Sequence, residues 1–342
     1  MIWYGIFLFF IFFLVLVQQN YTQKLKLSFS CVYVFATIFI ILSVIRPSSL
    51  PDYNAYFDFY TRSNKNNESF EFFSHLIRNI SPSWFVFLFL FAFISINLKL
   101  YAIKLNSDKH ILSILTFLST SFVLHDFIQI RASCAIGIIW VALYYLNESK
   151  YIKYFILILL ASLFHISSII FLPISILKSK KINEKFWILL LILSYVFAIV
   201  RFDLIRIALL ILGPVGHIGD KLTTYYEFAQ IAIAEFGCVN IFSVNQLLKI
   251  LLVCILFRKI KFLNTNNMLF LKIYILGVCI LPLCYNVTAI ALRFSELLTS
   301  VVVFILPELI SLCKRKVFGY AIFLLYVMMF FFINVIYPNY FI

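Results

Sequence analysis

The sequence predicts an all-α, polytopic integral membrane protein, with about ten or eleven transmembrane helices of roughly 20 residues each. Three observations predict it. Hydrophobic residues are 64% of the 342 and charged residues only 12%, whereas a soluble domain is about half apolar and about a quarter charged. Such an excess is too large for one buried core and must be solvated by lipid. The apolar residues also form continuous runs, at about 2–17, 28–45, 84–103, 111–125, 131–146, 153–176, 186–200, 244–257, 268–285, 294–311 and 318–336. Finally, lysines cluster at the ends of those runs, where the positive-inside rule puts them. The formal net charge of +14 is explained in that way, and no nucleic-acid partner is read from it.

In chain order, the run Ile2 to Val17 lacks a basic leader and a small-residue cleavage site, so it reads as a retained anchor. Lys24 and Lys26 follow it. After the second run, Arg46-Pro47 ends the helix at the interface and opens a long stretch, about 46–83. Within it, Phe72, Phe73, Leu76 and Ile77 share one helical face, as in an amphipathic helix lying in the membrane interface. Lys99, Lys104 and Lys109 surround the next connection. Lys150 and Lys153 mark another, and Lys178, Lys180, Lys181 and Lys185 a third. A second long stretch, about 201–243, precedes the basic groups Arg258-Lys259 and Lys314-Arg315-Lys316. All of this reads as one membrane domain, 1–342.

Orienting the helices by short-loop charge fails at Tyr151 to Leu177, which has basic clusters at both ends. Two readings stand open. The segment is a re-entrant hairpin broken at Leu163-Phe164-His165-Ile166-Ser167-Ser168, or it is an ordinary span and a helix is miscounted elsewhere. With parity repaired, both long stretches are outer loops, and the work of the protein is expected at the outer face.

Seven cysteines are present, and Cys31, Cys134, Cys254, Cys279, Cys284 and Cys313 lie in or beside apolar runs without metal-ligand spacing. No disulfide framework, metal or cofactor is read from them. There is no HExxH, no Ser–His–Asp order and no CxxC, so soluble-enzyme chemistry is not written in the chain.

Ionisable residues at the edges of spans are costly and need a reason. Arg131 opens a span within Gln129-Ile130-Arg131-Ala132. It is either paired with Asp126, snorkelling to headgroups, or an anion ligand, since a guanidinium grips phosphate through a rigid fork. Arg293 is either paired with Glu296 within its helix or a second anion ligand. With Arg46, Arg201 and Arg206 they place arginine on the outer edge, while lysine dominates inside. That split suggests binding of a pyrophosphate or another strong anion. In the first long stretch, Asp52, Tyr56 and Asp58 suit sugar, because carboxylates accept from hydroxyls and rings stack on pyranose faces. Asp52 is the candidate general base, with Asp58 the substitute; each also reads as a solvated loop residue. His165 lies in an apolar segment and reads as a structural residue or a site residue. His217, in Gly213-Pro214-Val215-Gly216-His217-Ile218-Gly219, sits in a glycine-rich turn without P-loop spacing and is an alternative base.

From Arg46 to Leu177 the arrangement resembles the EpsG family of bacterial exopolysaccharide proteins, which includes Wzy-type O-antigen polymerases. The residues that carry the resemblance are Arg46, Asp52, Tyr56 and Phe57, the Glu68–Ile77 amphipathic stretch, Ile130-Arg131-Ala132 with Ala135 and Gly137, and Leu160 to Ser168 followed by Leu172-Pro173. Ala132 stands where the family's usual glutamine would, and Arg293 matches less specifically. The resemblance implies a multi-pass protein of the bacterial inner membrane. Such a protein joins oligosaccharide repeat units carried on undecaprenyl pyrophosphate, at the periplasmic face. Its partners would be that lipid-linked oligosaccharide, membrane lipid and a chain-length regulator, whose binding to this chain is left open. On this expectation Arg131 and Arg293, with Arg46, hold the donor pyrophosphate, Asp52 or His217 takes the acceptor proton, and His165 supports the site. A lipid-linked oligosaccharide flippase is the alternative, although more spans and internal repeats would be expected of it. A membrane acyltransferase would need a His–acid pair, and none stands out. An accessory assembly subunit remains open.

Overall fold

The computed structural model describes residues 29–61, 69–178, 181–213, 216–236, 238–258, 260, 263 and 265–337. The run 2–17 and its lysines lie outside them. Among the described residues every regular element is helical, as a chain that must satisfy its backbone in lipid requires. Six helices are long and apolar enough to cross a membrane, or seven if Glu184–Ile199 and Leu204–Ile211, bent by 94°, form one span. The protein is a multi-pass all-α membrane protein. Among the described residues this is fewer spans than the apolar runs suggested, because run 2–17 lies outside them and the run 153–176 is divided into helices of only 14 and 13 residues, Tyr151–Phe164 and Ile166–Lys178. Hydropathy counts apolar residues and does not register a break in the backbone.

The described residues form two compact units, 29–175 with 306–337, and 176–305. In the first unit, α1 (Phe29–Val44), α4 (Trp84–Asn106), α6 (Ile130–Asn147) and α7 (Tyr151–Phe164) pack in succession, α4 against α1 and α6, and α6 against α7. Gly137 lets α4 and α6 approach closely, since a Cβ there would lie 2.9 Å from Leu98 Cβ and 3.3 Å from the Ser95 carbonyl. Between α4 and α6 runs α5 (His110–Ile128), which changes to π-helical winding over Leu118–Ile128. The stretch 46–83 contains α2 (Tyr53–Thr61) and α3 (Ser69–Ile80). Arg78 on α3 donates to the Thr61 carbonyl at 2.5 Å, closing the exposed C-terminus of α2.

His165 is extended (φ −148°, ψ 107°) and ends α7. The chain then forms a 3-10 helix, α8 (Ile166–Lys178), interrupted by Pro173. It folds back, for the Tyr154 hydroxyl near the start of α7 donates to the Phe171 carbonyl on α8. The chain thus turns back on itself at the polar centre, the fold-back that the hairpin reading of 151–177 requires.

The second unit contains α9 (Glu184–Ile199), α10 (Leu204–Leu212), α11 (Gly216–Phe236), α12 (Val244–Arg258), α13 (Thr265–Leu283) and the start of α14 (Thr288–Leu312). Asp203 caps α10 by accepting from the Arg206 amide at 2.9 Å. The stretch 201–243 is therefore mostly helix. His217 is the second residue of α11, which corrects the expected glycine-rich turn: from Gly216, at φ +43°, the chain is helical for 21 residues. The last helix, α15 (Lys316–Phe331), packs against α5 in the first unit.

Candidate functional site

One end of the first unit gathers most of the residues singled out above. Tyr56 and Phe59 are three apart on α2 and so share a face. The Arg131 guanidinium lies over both rings, 5.5 Å from the centre of Tyr56 and 5.7 Å from that of Phe59. Stacking uses the face of a guanidinium, and its edge carries the hydrogen-bonding fork. Arg131 is half-buried and Tyr56 buried. Tyr56, read as a sugar contact, thus has its ring under Arg131. Burial pushes the Tyr56 hydroxyl above the usual range, against the opposing pull of Arg131.

Below α2 the packing is aromatic. Tyr60, Phe87 and Phe91 are buried with Ile130 and Cys134, Trp84 donates to the Tyr53 hydroxyl at 2.9 Å, and Phe73 on α3 stacks on Phe164 at 5.1 Å. These contacts seat α2 and α3 on the ends of α4 and α7. Asp52 precedes α2, exposed, in a left-handed conformation (φ 62°), and its carbonyl accepts from the Tyr56 amide at 3.0 Å. Aspartate tolerates that conformation better than most residues.

Arg46 is 7% exposed. Its Nε donates to the Ser43 carbonyl at 2.7 Å and its Nη1 to the Phe127 carbonyl at 2.6 Å. Its Nη2 is buried without a hydrogen-bond partner. Burial pulls the group down to about 10, with Asp126, Tyr56 and Tyr53 acting the other way, so it is a cation at neutral pH. His165, at the break between α7 and α8, lies within electrostatic reach of His125, which is buried on the π-wound part of α5.

The Asp126 carboxylate binds Lys99 at 2.6 Å, and both groups are buried. Lys99 was grouped with the loop lysines Lys104 and Lys109, and the structure corrects this: it lies inside α4, seven residues before the helix ends. The signal was present, since Lys99 falls within the apolar run 84–103 and shares a face with Ser95 one turn earlier. His125 carried no comparable signal.

The remaining arginine lies in the second unit. Arg293 donates to the Tyr225 hydroxyl at 2.5 Å and lies 5.2 Å from the centre of that ring. Tyr225 and Tyr226 on α11 pack on a cluster of Ile205, Val287 and Ile290. Asp203 accepts from the Tyr226 hydroxyl at 2.8 Å. Arg131 and Arg293 are thus each held across a tyrosine of a helix that the sequence leaves as loop.

The sequence model of the EpsG family matches residues 26–341, nearly the whole chain. The protein belongs to the EpsG family. Comparison with curated proteins and with solved structures gives no match. EpsG is a Wzy-like polymerase family, so the resemblance read on residues 46–177 extends over both units.

Proposed function

We propose that this EpsG-family protein is an O-antigen or exopolysaccharide polymerase. It would join undecaprenyl-pyrophosphate-linked oligosaccharide repeat units at the periplasmic face of the bacterial inner membrane. One observation carries the reading: two arginines, Arg131 stacked under α2 and Arg46 buried with an unpartnered Nη2, lie at the same end of the first unit as Asp52 and His165.

In this reading Arg131 and Arg46 bind the pyrophosphate of the donor. As the sugar C1–O bond breaks, charge grows on the departing lipid pyrophosphate. Cations fixed in advance in a water-poor site stabilise that charge without reorganising. The acceptor hydroxyl attacks C1 and its proton passes to the Asp52 carboxylate, which the exposed turn before α2 leaves open to a sugar. His165 supports the site at the helix break. In the second unit Arg293 is offered as a further anion ligand and His217 as an alternative base.

The test is deletion and complementation, read as a polysaccharide ladder on a gel with protein level checked. The deletion is expected to leave core plus a single repeat unit, wild type to restore the ladder, and Arg131→Ala and Asp52→Ala not to. Bare core with no single-unit band would place the defect before or during export and favour a flippase instead.

A further inference from the structure

Three successive helices of the first unit meet at a polar cluster that the mechanism above does not use. The Lys99 ammonium on α4 donates to Asp126 Oδ2 on α5 and to Ser133 Oγ on α6, each at 2.6 Å. Asp126 Oδ1 accepts from the Ser95 and Ser133 hydroxyls, each at 2.5 Å. Lys99 is 0% and Asp126 2% exposed.

As a fastener such a pair is inefficient. Desolvating two charges offsets most of their attraction, and well-packed apolar residues often hold helices as well. What an ion pair with shared hydroxyls adds is direction: it accepts one register of the three helices. Direction matters here because α5 is π-wound over Leu118–Ile128, and π-winding lacks the regular i→i+4 ladder that normally sets side-chain placement. Asp126 is anchored from the side instead. Next to it, the Phe127 carbonyl receives Arg46. Ser133, the other end of the anchor, lies two residues after Arg131 on the first turn of α6.

We propose that the buried Lys99–Asp126 pair is a positioning device, which fixes the backbone from His125 to Ser133 so that Arg46 and Arg131 meet the donor pyrophosphate in one geometry. The inference rests on the polymerase reading, in which those arginines grip that group. Neither Lys99 nor Asp126 touches the substrate.

The experiment uses the full-length protein purified in detergent, with inorganic pyrophosphate as the probe. Binding is read by titration, and fold by the melting temperature without pyrophosphate. Wild type is expected to bind and Arg131→Ala to bind far more weakly. The double variant Lys99→Met/Asp126→Leu removes both charges together and is expected to melt near wild type, yet to bind pyrophosphate about tenfold or more weakly, since displacements of about 1 Å are enough for losses of that size or larger. Ser133→Ala removes one shared hydroxyl and is expected to weaken binding several-fold at unchanged melting temperature. A double variant that melts and binds like wild type overturns the proposal. If the double variant does not accumulate, Ser133→Ala decides: weakened binding supports the proposal, and wild-type binding overturns it. Wild-type protein that ignores pyrophosphate, or Arg131→Ala that binds it undiminished, removes the anion-site reading itself, a failure separate from that of the positioning pair.

Discussion

At the scale of single residues, charge alone does not describe Arg131. Its guanidinium lies over Tyr56 and Phe59, where a planar group can spread its fork and a compact ammonium cannot. Arg131→Lys keeps the charge and some attraction to the rings but gives up the fork that matches phosphate, worth about 1.5–3 kcal/mol for a hydrogen bond to a charged group. It is expected to slow polymerisation about tenfold or more, because 1.4 kcal/mol is about a factor of ten. Tyr56→Phe keeps the ring and should lose much less. Initial rates on lipid-linked repeat units check both. Arg46 keeps its charge despite burial: desolvation pulls the guanidinium down only to about 10, so the cation is present throughout the neutral range. Arg46→Met is therefore expected to weaken pyrophosphate binding several-fold across that range, as titration of the purified protein would show.

At the scale of elements, the α7–α8 hairpin and the α4–α6 contact carry the local geometry. Tyr154→Phe removes the hydroxyl that joins the two arms at the Phe171 carbonyl. One such hydrogen bond contributes about 0.5–1.5 kcal/mol, so the melting temperature in detergent should drop while the protein still accumulates. Gly137→Val sets a branched side chain where a Cβ alone would come within 2.9 Å of Leu98 Cβ. Overpacking of this kind costs about 1–3 kcal/mol. Because Ser95 sits at the same contact, pyrophosphate binding should weaken along with stability. These elements were partly legible. The polar centre at His165 marked the break, and the apolar face at Phe73, Leu76 and Ile77 marked α3. The π-winding of α5 was not legible, because the apolar run 111–125 reads the same for α and π winding.

At the scale of the whole molecule, orientation in the membrane follows from charge. Native cysteines test it without engineering a label site. Cys238 is exposed in the stretch assigned to the outer face, and Cys313 precedes the basic group Lys314-Arg315-Lys316 assigned to the inner face. In a set of single-cysteine proteins, a membrane-impermeant maleimide should label Cys238 in intact spheroplasts and Cys313 only after permeabilisation. The opposite pattern would invert the topology and remove the periplasmic site.

The solvent of this protein was written in its composition. An excess of apolar residues in long runs permits only lipid-embedded helices, and arginine is conspicuous at span edges because charge there is costly. Arg46 and Arg131 stood out for that reason. Only the tertiary structure decided which charges answer one another. Asp126, five residues from Arg131 in the chain, binds Lys99, 27 residues away, and Arg131 turns to the rings of α2 instead. Sequence proximity ranks partners by chain distance. Burial ranks them by which group would otherwise be left charged in an apolar interior, and inside the membrane Lys99 has the stronger claim on Asp126.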